Sequence, residues 1–90
     1  MRSARMVEVT GSVQGVGFRW TTKRLADGAG LDGWVRNNPD GSVSIAVEGE
    51  DKAIDRFLGE LSEAMGPYIH GLKSVDAKPG KNLDGFDVVH

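Results

Sequence analysis

Val7-Glu8-Val9-Thr10-Gly11-Ser12-Val13 runs directly into Gln14-Gly15-Val16-Gly17, after which Phe18, Thr22, Leu25, Ala26 and Ala29 follow at spacings of three and four. In the first stretch Val7, Val9, Gly11 and Val13 alternate with Glu8, Thr10 and Ser12, the period of a half-buried strand. The later set has the period of an amphipathic helix, and Gly28 and Gly30 supply its C-terminal stop. A strand, a glycine-rich turn and a helix therefore succeed one another without a linker.

The same reading extends outward. Leu31-Asp32-Gly33-Trp34-Val35-Arg36 is a short second strand, and Asn37-Asn38-Pro39-Asp40-Gly41 is dense in turn formers. Ser42 to Glu48 alternates again through Val43, Ile45 and Val47, so the two strands form a hairpin. Glu50-Asp51 opens a second helix, with acidic side chains at the positive end of the dipole. Its apolar positions are Ile54, Phe57, Leu58, Leu61 and Met65. Gly59 within it costs about 1 kcal/mol relative to alanine, which five apolar contacts outweigh. Gly66-Pro67 ends the helix. A strand at Leu72–Ala77, a break at Pro79-Gly80 and a short strand at Phe86-Asp87-Val88 complete the chain.

The expected order is β-α-β-β-α-β, a ferredoxin-like α/β sandwich of the α+β class. It implies an antiparallel sheet with two helices on one face and a short extra C-terminal strand. Ninety residues make one domain and leave no room for a second core. The crossover returns the second strand parallel to the first, with the third antiparallel between them. The C-terminal ends of the first two strands then share one sheet edge, two strand spacings or roughly 10 Å apart. Gln14–Arg19 and Asn37 become neighbours in space.

Composition narrows the function. The net charge of −2 argues against a general electrostatic nucleic-acid binder. Residues 1–36 carry six Lys and Arg against three Asp and Glu, while residues 37–90 carry five against ten, so an anion site belongs to the first part. No cysteine is present, which excludes disulfides, thiolate zinc sites and thiol nucleophiles. No long apolar run or signal segment is read, and the expected location is the cytoplasm.

Backbone N–H groups freed of side-chain bulk by Gly15 and Gly17, at a helix start, form an anion cradle, and Arg19 can fork onto two oxygens of the same anion. Glycine turns between strand and helix also occur for purely structural reasons, and an arginine in a first turn is often only solvated. Spacing alone leaves both readings standing. No Gly-Lys-Ser/Thr follows, so this is not a Walker loop, and the Rossmann spacing is absent. Trp34 is read as packing, Met65 as core, and His70 and His90 as lacking a catalytic role. Asp40 shapes its turn through a bond to backbone, and Asp84 and Asp87 either pair with Lys81 or face water.

Gly11-Ser12-Val13-Gln14-Gly15-Val16-Gly17-Phe18-Arg19, with Gly33-Trp34-Val35-Arg36-Asn37 and Asp40-Gly41-Ser42-Val43, closely resembles the acylphosphatase family. The resemblance covers nearly the whole chain. It implies a small α/β sandwich enzyme that hydrolyses carboxyl-phosphate mixed anhydrides. In that family the arginine ending the first motif binds the phosphoryl group, and the asparagine of the second orients the attacking water. Carried over by motif position these are Arg19 and Asn37. The backbone of Gln14, Gly15, Val16, Gly17 and Phe18 would then cradle the phosphate. The implied partner is a small-molecule acyl phosphate, with inorganic phosphate or a similar anion able to occupy the loop. No cofactor, metal, nucleic acid or membrane is expected, and the chain is expected to be a monomer.

Three other readings compete. An RNA-binding domain of the same fold would stack bases on aromatics of its central strands, yet the first and third strands contain none. An anion-binding module without catalysis would keep the loop and is compatible with the sequence. An enzyme of the same class acting on carbamoyl phosphate would share both motifs.

Overall fold

The structure, a computed structural model, describes residues 2–78 and 83–90. Its elements are β1 (Arg2–Gly11), α1 (Phe18–Gly28), β2 (Asp32–Asn37), β3 (Val43–Glu50), α2 (Asp51–Met65), a 3-10 turn (Gly66–Tyr68), β4 (Ile69–Ala77) and β5 (Phe86–Val89). The expected break at Pro79-Gly80 and the pairing with Lys81 lie outside the described residues. Asp84 and Asp87 are both exposed.

The five strands lie in the order β4-β1-β3-β2-β5. β1 and β2 each pair antiparallel with β3, so they run in the same direction and end at the same edge. Rows of side chains follow from the register. Val7 lies opposite Ile45, and Ile45 opposite Val35; this row is fully buried and faces the helices. Two residues on, Val9, Val43 and Asn37 form the next row on the same face. Phe18 and Ala26 of α1 and Ile54, Phe57 and Leu61 of α2 complete the core. Each fully buried large side chain contributes about 1.5–3 kcal/mol. Phe57 also meets Phe86 of β5, ring centroids 6.4 Å apart. Thr22 is buried because its hydroxyl donates to Phe18 O at 2.8 Å within the helix.

The first four strands pair antiparallel as expected, and the extra C-terminal strand joins them as β5, running parallel to β2. β4 ends opposite Ala4, near the start of β1, and β5 starts opposite Gly33, near the start of β2. Both points are at one end of the sheet, so β5 can only travel in the direction of β2. Boundaries move for similar reasons. β1 begins at Arg2 because its ladder to β3 extends as far as Glu50, and it ends at Gly11, where the pairing with β4 slips. Ser12 instead donates its N–H to Tyr68 O at 2.9 Å, and Val13 leaves the sheet for the core. β4 begins at Ile69, three residues before the expected start, because Gly11 still pairs with it. Trp34 packs, but on the open face of the sheet, where the Arg36 guanidinium lies 5.0 Å from its ring.

Candidate active site

Val13 and Phe18, both buried, pin the two ends of the loop between β1 and α1. Between them Gly15 and Gly17 take φ of +79° and +78°, the left-handed region that costs other residues about 1–2 kcal/mol. Gly17 is the N-cap of α1, and no side chain caps this end of the helix. The first-turn N–H groups therefore point out of the helix end with no side-chain cap among the described residues, open to a ligand or water.

Arg19 is in the first turn of α1. Its Nη1 lies 3.4 Å from Val89 O and 3.3 Å from His90 Nδ1. Because a guanidinium only donates, the imidazole must present a lone pair at Nδ1. Nε and Nη2 make no hydrogen bond to any described residue. They leave a two-pronged edge open.

Asn37 ends β2 on the helix-facing row. Its Oδ1 is buried and has no partner among the described residues. A buried acceptor left unpaired costs about 1–3 kcal/mol, which calls for an explanation in ligand or water binding. The next residue, Asn38, is fixed by Nδ2 donating to Ser44 Oγ at 2.7 Å and Ser42 Oγ at 3.0 Å. Asp40 Oδ1 accepts from Ser42 N at 3.0 Å and Ser42 Oγ at 2.6 Å, the turn-shaping role expected of it. These two bonds hold the Asp40 carboxyl below the usual aspartate range.

A cavity of about 260 Å³ joins these parts, lined by Val13, Gly15, Gly17, Phe18, Arg19, Trp20 and Asn37. Five of the expected positions (Gly15, Gly17, Phe18, Arg19 and Asn37) line it; Gln14 and Val16 do not. The Gln14 side chain instead spans to the hairpin, Nε2 donating to Asn38 O at 2.8 Å and Ser42 O at 3.0 Å. It is a strut between loop and hairpin. Val16 is 38% exposed beside the loop. Trp20 lines the cavity without having been singled out in the sequence, and His90, read there as lacking a catalytic role, lies against Arg19. Trp20 could have been found from its place immediately after Arg19, whereas nothing in the sequence marks the approach of His90. The lining carries one formal charge, the Arg19 cation. A larger groove of about 500 Å³ lies between α1 and α2, lined in part by Arg24, Lys52, Arg56 and Glu60, and shares no residue with the loop. Among the described residues no three His, Asp or Glu side chains gather as a metal site.

A family model described as acylphosphatase matches residues 5–88. The acylphosphatase of Lactobacillus gasseri is 53% identical over 86 residues, covering 93% of this chain and 94% of its own. That of Rhizobium meliloti is 53% identical over 88 residues, covering 97% and 93%. The crystal structure of the acylphosphatase from Bacillus subtilis aligns over the whole of both chains with a TM-score of 0.89 at 28% identity. With a match that runs through the strands, the helix-opening loop and the hairpin alike, the chain belongs to the acylphosphatase family, enzymes that hydrolyse the anhydride bond of acyl phosphates.

Proposed function

We propose that the loop of residues 14–18 and Arg19 hold the phosphoryl group of the acyl phosphate while Asn37 orients the attacking water. One observation carries this assignment. Arg19 and Asn37, whose buried amide oxygen has no partner among the described residues, line the same cavity as the two loop glycines, although β2 and α1 are separate elements.

In this mechanism phosphoryl oxygens accept from the free N–H groups at the start of α1 and from Nε and Nη2 of Arg19. Asn37 Oδ1 reaches a water once its amide rotates toward the cavity, and it accepts a hydrogen bond from that water. The water oxygen attacks phosphorus opposite the acyl oxygen. The bond from phosphorus to that oxygen breaks, its electron pair leaving on the carboxylate. A dianionic acyl phosphate and water thus give a carboxylate and dihydrogen phosphate, both water protons ending on phosphate oxygens. A carboxylate is a good leaving group, so no strong general acid is required. Positioning and charge stabilisation supply the rate. An amide is not a base, and the proton goes to the substrate's own phosphoryl oxygen.

We further infer that residues 1–90 act as one acylphosphatase-like domain, as a cytoplasmic monomer that binds no nucleic acid. The exposed edge strand β4 carries Lys73 and Asp76, charges that oppose pairing with a second sheet. The Trp34 ring is already covered by Arg36, which removes a base-stacking platform. Among the described residues no helix is long and apolar enough to cross a membrane.

The test is phosphate release from an acyl phosphate by Arg19 variants. Arg19→Ala is expected to lower kcat/KM by on the order of 10³-fold or more. Arg19→Lys recovers little, since a point ammonium does not reproduce the fork. Equal turnover by the lysine variant and wild type would refute the two-pronged role.

A further inference from the structure

Trp20 is 66% exposed, although a tryptophan offers more apolar surface for burial than any other residue. An isolated apolar side chain on a surface needs no explanation. Trp20 is different in its position. It is the third residue of α1, and side chains on a helix lean back toward the N-terminus. The indole is thereby directed toward the loop, and it lines the cavity that also contains Arg19 and Asn37. Val16, on the loop that precedes α1, is also exposed.

The cavity has one cation, and the phosphoryl group uses it. Water attacks phosphorus from the side of Asn37, so the acyl oxygen leaves on the side away from it. Beyond Arg19 and Asn37, the lining available to the acyl group offers the largely exposed face of Trp20 and no second charge. We propose that Trp20 is the platform on which the acyl group rests, favouring acyl phosphates whose acyl part is planar, apolar and uncharged, aromatic ones above all. The proposal rests on the roles given above to the loop, Arg19 and Asn37.

Its test compares benzoyl phosphate with acetyl phosphate, as kcat/KM, for wild type, Trp20→Ala and Trp20→Phe. The side chain is mostly in solvent, so both variants should fold, and inhibition by inorganic phosphate reports whether their loop is intact. Trp20→Ala is expected to lower the ratio of benzoyl to acetyl kcat/KM by about fivefold, the size of an aromatic contact. Trp20→Phe should restore most of that ratio. A ratio that is the same in wild type and Trp20→Ala, both active and both inhibited by phosphate, would overturn the platform and leave the roles of Arg19 and Asn37 intact. Failure of wild type to hydrolyse either anhydride would overturn both.

Discussion

Asp40 accepts two bonds from Ser42, and Asp32 accepts from the Arg2 guanidinium at 2.8 Å and from Gly85 N at 2.9 Å. Both carboxyls are held below the ordinary aspartate value of about 3.9, Asp40 chiefly by the Ser42 hydroxyl and Asp32 chiefly by Arg2. The folded chain therefore binds these protons less readily than the unfolded chain. Their stabilisation is present above about pH 4 and drains away as pH falls through the depressed values. Urea denaturation should show midpoints falling from pH 5 to pH 3, with a shallower fall in the double variant Asp32→Asn, Asp40→Asn. A fall of equal steepness in the double variant would contradict this origin. The turn role of Asp40 was legible from its place before Gly41-Ser42, because the bonds it makes are local. The strut role of Gln14 was not, because its partners are on the hairpin and emerge only when the two strands share an edge.

Gly33 shows how β2 is fixed beside β3. Its φ is +143°, and a Cβ there would lie 1.9 Å from Ala46 O. Only glycine lets the neighbouring backbones approach so closely. Gly33→Ala is expected to destabilise the fold by about 3 kcal/mol or more, read from the urea midpoint. A loss below about 1 kcal/mol would mean that β2 can shift without cost. The helices were legible as elements because their apolar spacings are long and regular, and the site loop because it interrupts one period and starts another. β5 was legible as a strand but its direction was not. Four residues carry no record of where the preceding strand ends. The start of β4 was hidden for a related reason, since Ile69 and Gly71 join the sheet only through pairing with β1.

The whole molecule brings together two devices made separately in the chain. Buried Val13 and Phe18 hold the loop and Arg19 at one strand end, while the row Val9, Val43 and Asn37 sets the amide at another. β5, locked to α2 by Phe57 and Phe86, carries Val89 O to Arg19. Neither site residue is placed by its own element alone, which is why a sheet of five strands is needed to position two side chains. The central claim is that these devices do different work, one holding phosphate and the other orienting water. The most direct measurement is kcat for benzoyl phosphate beside the inhibition constant of inorganic phosphate, both in Asn37→Ala. The expected result is a kcat lower by about 10²–10³-fold with a phosphate inhibition constant within about threefold of wild type. Survival of kcat, or a collapse of phosphate binding in step with it, would contradict the division of roles.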